Sequence, residues 1–357
     1  MPRSGRRLVV IVIALVALLP VAGFGYQTIA SWLDHQAYPP PGQMVDVGGY
    51  KLHLYCTGEG SPIVVMDSGL GGAWLDWSKV QPVLSATTRI CTYDRAGMGW
   101  SDVGEEPRDA QQAVRELHRL LENAGIDGAL LLVGHSNGGL RVQLYAAHYP
   151  EQVVGLVLVD PTLTLTPEEQ MAALPSEAQA RLSALLAEVE NTGESAPPDQ
   201  DNGLQTLAAL APFGVLRLIG GNLLELSAKL PADAREPYRA ITMRTTYLPT
   251  LLSERRQIER SIQQVRDQNI QFGSLPLVVL INALESSQDV DAMPAAEQEL
   301  VRLMAPIAYH AGRALADLSA QGQLIVVEGS SHYIQLDRPE IVIQAIEQMV
   351  GQVRSGR

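Results

Sequence analysis

Leu130-Leu-Leu-Val-Gly-His-Ser-Asn-Gly-Gly-Leu140 decides the fold. Four apolar residues run into Gly-x-Ser-x-Gly at Gly134, Ser136 and Gly138, and Leu140–His148 then has a helical pattern. A strand, a sharp turn and a helix in that order form a nucleophile elbow, which lifts a serine hydroxyl clear of a sheet. Side chains two residues before and after the serine would strike the neighbouring chain, so both positions call for glycine. The bland alternative is a chance Gly/Ser turn between a strand and a helix. A pentapeptide does not exclude it, so the decision rests on the rest of the chain.

The chain has 357 residues, room for one large α/β domain with an inserted subdomain. Hydrophobic content of 46% against 18% charged residues suits a packed core and argues against disorder. The formal net charge of −13 argues against nucleic acid as a partner. Arg3, Arg6 and Arg7 precede the apolar run Leu8–Phe24, and no further charge appears before Asp34. Residues 1–33 therefore read as a membrane anchor or signal segment. The run reaches the lower limit for a bilayer span, and the arginines predict a cytoplasmic N-terminus with the remainder exported. Cleavage near Val21-Ala22-Gly23, giving a secreted protein, is the competing expectation. The retained anchor is favoured because Gly25–Leu33 extends the uncharged stretch.

Residues 34–43 form a proline-rich linker, extended over Ala37–Gln43. Met44–Val47 and Tyr50–Cys56 alternate around Gly48-Gly49 as a hairpin. Strands are expected at Pro62–Asp67, Arg89–Asp94, Ala129–Val133, Val153–Val159, Leu277–Ile281 and Gln323–Glu328. Helices are expected at Trp74–Ala86, interrupted near Pro82, and at Arg108–Ala124, Glu297–Ser319 and Arg338–Val353. Between the strands ending at Val159 and starting at Leu277, residues 162–273 carry no convincing strand. Pro167–Val189, Val215–Leu230, Ala232–Thr246 and Pro249–Asn269 read there as helices of a cap or lid. Cys56 and Cys91, on separate strands of an exported chain, invite a disulfide; burial as two small unpaired hydrophobes is the alternative. Short apolar strands alternating with helices predict a mostly parallel sheet covered on both faces. Chemistry in such sheets sits at the carboxyl ends of the strands. Ser136, Asp160 and His332 each fall just after a strand, in that order.

Four segments together carry a resemblance: Asp67-Ser-Gly-Leu-Gly-Gly72, Asp94-Arg-Ala-Gly-Met-Gly-Trp-Ser101, Gly134-His-Ser-Asn-Gly138 and Gly329-Ser-Ser-His332. From Met44 to Val350 the chain resembles the α/β-hydrolase superfamily, most of all its lipase/esterase-type branch with a helical cap between strands six and seven. The resemblance implies a mostly parallel eight-stranded sheet with helices on both faces, built from residues 44–161 and 274–357, with the cap at 162–273. The family's strand order would also set Cys56 beside Cys91 and favour their pairing.

The implied chemistry is that of a serine hydrolase without cofactor or metal, cleaving a small-molecule carboxylic ester, or an amide, through an acyl-enzyme. Ser136 is the expected nucleophile, and it needs a base within hydrogen-bond reach. Of the seven histidines, His332 directly follows the last strand and is the expected base. The acid has two main candidates. Asp160, in Asp160-Pro161 after strand six, matches an arrangement found in some lipases. Glu285, in Asn282-Ala-Leu-Glu285 after strand seven, departs from the family's usual Gly-x-x-Asp, and Asp289 ranks third. Asp160 is preferred. The backbone N–H groups of Asn137 and Leu70 are the implied oxyanion donors. Asp94 and Arg95 are expected to brace the neighbouring loop. Two other classes fit the same residues: a ligand-binding or signalling member of the fold without hydrolysis, and a serine-dependent C–C hydrolase or lyase.

Overall fold

The computed structural model describes the backbone of residues 3–192, 200–220, 226–283, 290 and 295–356, with side chains except at 3–17, 185–192, 200 and 295–297. Eight strands form one sheet: β1 (Gln43–Asp46), β2 (Lys51–Thr57), β3 (Ile63–Asp67), β4 (Ile90–Tyr93), β5 (Leu130–His135), β6 (Val153–Val159), β7 (Leu277–Asn282) and β8 (Gly322–Val327). Their spatial order is β1-β2-β4-β3-β5-β6-β7-β8. β2 is antiparallel to both β1 and β4, and every other pairing is parallel.

The apolar run of β5 shows how sequence becomes layers. Side chains alternate across a strand. Leu130 and Leu132 join one core with Leu117 and Leu120 of the helix Ala110–Asn123 and Leu144 of Asn137–His148. Leu131 and Val133 join the opposite core with Trp77, Leu84 and Ile346. Both faces being covered, a continuous hydrophobic run is the stable pattern for a central strand.

The β1–β2 hairpin turns at Gly48 and Gly49, with φ of 118° and 104°, a backbone region closed to most side chains. Cys56 lies opposite Cys91 in the β2–β4 register, and their sulfurs are bonded. The expected helix Trp74–Ala86 is two short pieces, Trp74–Trp77 and Gln81–Leu84, the second with Pro82 in its first turn.

The segment between β6 and β7 is helical in its described parts, in more and shorter pieces than its composition suggested. They are Pro167–Ala172, Ser176–Thr192, Gln200–Leu210, Val215–Ile219, Leu226–Lys229, Ala232–Thr242, Tyr247–Arg256 and Ile258–Arg266. Gly214, at φ 74°, is one of the breaks, because its left-handed backbone cannot continue a helix.

The N-terminal helix runs from Arg3 to Ala37, so Asp34–Ala37 of the expected linker are helical. Contacts with the insertion and with Trp100 after β4 hold them there. The Arg217 guanidinium pairs with Asp34 at 2.6 Å, Gln27 donates to the Met243 carbonyl at 2.9 Å, and His35 meets Trp100 edge-on. Among the described residues, no helix is long and apolar enough to cross a membrane. Side chains of the Leu8–Phe24 run are described only from Leu18 onward.

Closing a 35-residue loop between Cys56 and Cys91 removes denatured-state entropy worth roughly 3–4 kcal/mol. Cys56→Ser with Cys91→Ser should lower unfolding stability in urea by about that amount; an unchanged midpoint would contradict it.

Candidate active site

Ser136 stands at φ 52° and ψ −122°, between β5 and the helix Asn137–His148. The cause is local crowding. A Cβ at position 134 would lie 2.5 Å from the Gly138 carbonyl oxygen, and one at 138 would lie 2.3 Å from the Asp67 carbonyl oxygen. Only glycine fits at either place, so the serine is presented on a tight turn against β3. The Ser136 N–H donates to the Val159 carbonyl at 3.0 Å, tying the turn to the end of β6.

Asp160 follows β6 directly, with a positive φ of 41°. Its Oδ1 accepts from the Asn282 N–H at 2.9 Å, and its Oδ2 lies 2.6 Å from His332 Nδ1. A carboxylate only accepts, so Nδ1 carries the proton and Nε2 keeps its lone pair. Glu285 and Asp289, the other candidate acids, lie outside the described residues. The loop bearing His332 is braced from both sides. Asp337 accepts from the Ser331 N–H at 2.9 Å and from Lys229 of the insertion at 2.9 and 3.0 Å. His135 Nε2 donates to the His332 carbonyl at 2.9 Å. Burial, and then the neighbouring His332, hold the His135 imidazole well below the usual histidine range, so it stays neutral.

Leu70 sits in the turn Gly69–Gly72, closed by a bond from Gly72 N–H to Gly69 carbonyl at 3.1 Å. A buried ion cluster fixes this turn from below. Arg95 donates to the Ser68 and Gly69 carbonyls at 3.0 and 2.8 Å, to Asp67 at 3.2 Å, and to Glu254 at 2.6 and 3.0 Å. Arg141, from the helix after Ser136, donates to both Asp67 oxygens at 2.7 and 2.9 Å and to the Ser68 carbonyl at 2.5 Å. Burial works against the Arg95 charge, but Glu254 and Asp67 outweigh it and raise the guanidinium above the ordinary arginine range. Burial likewise opposes the Glu254 charge, and Arg95 overcomes it, keeping that carboxyl below the usual range. Asp94 acts one layer further out, accepting from the Trp74 and Trp100 N–H groups and from buried His53, all within 2.9 Å.

Ser136, Asn137, Leu70 and His332 line one cavity of about 720 Å³ at the carboxyl ends of the strands. The helical insertion contributes Leu226, Tyr238, Tyr247 and Ile258 to its walls. Asp76 lines it too, 1% exposed, and burial pushes its carboxyl up to about 7 against the pull of the Ala73 backbone hydrogen bond. A cavity of about 780 Å³ at the opposite ends of the strands, between Ala146–Val154 and Gln268–Pro276, includes Ser274 in its lining but no histidine or carboxylate beside it. Among the described residues, no three His, Cys, Asp or Glu side chains gather as a metal site.

The sequence reading missed Asp76, Glu254, Arg141 and Lys229. Asp76 had a faint signal, a lone acid in the otherwise apolar Ala73-Trp-Leu-Asp-Trp77. Glu254 had none, because Glu254-Arg-Arg256 reads as an exposed helical surface.

Removing the Glu254 carboxylate leaves Arg95 buried without its main partner. Glu254→Ala should cost roughly 3–5 kcal/mol in urea unfolding, whereas Asp317→Ala, which breaks the exposed Arg313 pair, should leave the urea midpoint nearly unchanged. Equal costs would contradict the ranking. Asp76 supplies a pH test. Its folded value of about 7 exceeds the 3.8 of the free side chain, so the folded state holds this proton more tightly. The stability this confers at low pH is lost as pH rises from about 4 through about 7. In Asp76→Asn that loss should be absent, so stability relative to the parent should improve by up to roughly 4 kcal/mol between about pH 4 and 8. Parallel pH–stability curves would contradict it.

The alpha/beta hydrolase fold family matches residues 62–198. An AB hydrolase superfamily protein of Gibberella zeae is 24% identical over 298 residues, 82% of this chain and 87% of the relative. The protein RutD of Klebsiella pneumoniae is 36% identical over 133 residues, 37% of this chain and 49% of that protein. The matches span between 15% and 51% of the lengths of four further curated relatives. Among solved structures, the enol-lactonase of Burkholderia xenovorans superposes with a TM-score of 0.54 at 18% identity, over 87% of this chain and all of that one. Likeness at that identity speaks for the fold, and the family match agrees with it. By sheet order and elbow the chain has the α/β-hydrolase fold, and residues 62–198 match the family of that name.

Proposed function

We propose that the chain is a serine hydrolase that cleaves a carboxylic ester, or less readily an amide, through an acyl-enzyme. The observation that carries this reading is the 2.6 Å contact of His332 Nδ1 with Asp160, in a loop that shares its cavity with Ser136. In the proposed cycle, His332 Nε2 accepts the Ser136 proton as Oγ attacks the carbonyl carbon, and Asp160 stabilises the imidazolium. The tetrahedral oxyanion is met by the N–H groups of Asn137 and Leu70. Collapse expels the alcohol, which takes the proton from His332. Water, deprotonated by the same imidazole, then releases the acid and restores Ser136. Neutral His135 suits this cycle, since a second imidazolium with its ring 4.7 Å away would oppose the charge forming on His332.

Leu226 and Ile258 offer an apolar wall for part of the substrate. The proposal also places the domain outside the cytoplasm, held by the apolar N-terminal run behind Arg3, Arg6 and Arg7.

A fluorophosphonate probe should label the protein, and Ser136→Ala should abolish both labelling and ester turnover; turnover surviving in that variant would overturn the proposal. Asp160→Asn should lower kcat about 10³–10⁴-fold through the wrong imidazole tautomer. For the anchor, the full chain should stay in the membrane fraction through alkaline carbonate washing. Release by that wash would refute membrane insertion and leave the chemistry standing.

A further inference from the structure

Asp76 lines the same cavity as the proposed acyl-transfer groups. Asp76 follows the turn Gly69–Gly72 and belongs to the short helix Trp74–Trp77. A Cβ at position 72 would lie 2.2 Å from Asp76 Oδ2, so the glycine there makes room for the carboxyl. The Ala73 backbone hydrogen-bonds this carboxyl. Oδ1 is buried and has no hydrogen-bond partner. A buried polar atom without a partner is costly and is seldom left so without purpose. Beside Asp76 stand Tyr238 and Tyr247 of the insertion, 3% and 9% exposed, joined to each other by a hydrogen bond. All three residues line the cavity.

We propose that Asp76, flanked by Tyr238 and Tyr247, is a binding site for a hydroxyl group on the non-reacting part of the substrate. This rests on the serine-hydrolase reading and deepens it. A hydroxyl donates to Oδ1, which lacks a donor, and accepts from a neighbouring phenol or from the protonated carboxyl. A plain alkyl chain would leave Oδ1 unpaired. Arg95 and Asp94 act on Asp76 with opposite signs, and stripping water from a cationic substituent at this buried wall costs more than stripping it from a neutral hydroxyl, which leaves the hydroxyl as the better match. The substrate class is therefore a hydroxylated ester, with the hydroxyl on the acyl or the alcohol portion.

The test compares kcat/KM for matched pairs with the full-length protein. On the acyl side the pair is the 4-methylumbelliferyl esters of hexanoic and 6-hydroxyhexanoic acid. On the alcohol side it is butyl and 4-hydroxybutyl butanoate. In at least one arm the hydroxylated ester should be preferred by about 10²-fold or more, because a site built to hydrogen-bond a hydroxyl rejects analogues lacking it. Asp76→Leu should bring that ratio close to unity, and Asp76→Asn, which keeps an acceptor, should retain part of it. Ratios near unity in both arms of the parent protein would overturn the proposal, as would a ratio that survives Asp76→Leu. A 6-aminohexanoate ester turned over better than the hydroxy ester would also overturn it. Fluorophosphonate labelling and turnover of the plain esters report on Ser136 separately. A protein that labels and turns over without discriminating refutes the hydroxyl site alone, whereas one that does neither refutes the serine-hydrolase reading beneath it. Thermal melting of Asp76→Asn and Asp76→Leu checks that both are folded.

Discussion

Two carboxylates and two guanidiniums, buried together beneath the turn Gly69–Gly72, hold the candidate site in place. Asp67 ends β3, Arg95 follows β4, Arg141 lies one turn into the helix after Ser136, and Glu254 comes from the insertion. Isolated charges so deeply buried would be very costly; arranged in balance and fully hydrogen-bonded they can be held. Their geometry matters more than any net stabilisation. The guanidiniums donate to the Ser68 and Gly69 carbonyls, so the backbone beside Leu70 is set by the same cluster that positions the nucleophile's helix. Donors aimed at a developing oxyanion are effective when fixed in advance, and a rigid charge cluster is one means of fixing them.

Glu254 makes the insertion a participant in that arrangement. Its carboxylate grips Arg95, and its Oε2 also accepts from the Gly71 N–H at 3.4 Å. The same insertion supplies Lys229, which braces the His332 loop through Asp337, and Tyr238 and Tyr247, which stand beside Asp76. The turn Gly69–Gly72, the His332 loop and Asp76 are thus coupled to helices that lie far from them in sequence. The N-terminal helix in turn packs on the insertion through Asp34 and Gln27, and on Trp100 after β4 through His35. A chain of contacts leads from the N-terminal segment to the turn beside Ser136.

The candidate acid was harder to read from sequence than the candidate nucleophile or base. Ser136 announces itself through glycines at fixed offsets, because the clash they avoid is between residues four apart and their immediate surroundings. His332 is marked by its place after the last apolar strand. The acid need only end within reach of that imidazole, and Asp160 is 172 residues away. Asn282 shows the difficulty. Read as a departure from a Gly-x-x-Asp pattern, it instead offers its N–H to Asp160. The helical pieces of the insertion were blurred for a related reason. Their apolar positions answer to several partners at once, so periodicity registers helix without showing where each one stops.

What the sequence by itself determined is whatever depends on neighbours along the chain: the elbow and its glycines, the alternation that sends β5 side chains into two cores, the hairpin at Gly48-Gly49, and the strand ends where chemistry gathers. What only the tertiary structure decided depends on distant pairs: Asp160 against His332, Glu254 against Arg95, and Asp76 among the tyrosines. The physical reason is one of range. Steric limits on φ, ψ and side-chain direction act over a few residues and leave a periodic trace. Burial and charge pairing act through space, and a carboxylate that will be buried beside a guanidinium looks, in sequence, like any other acid on a helix.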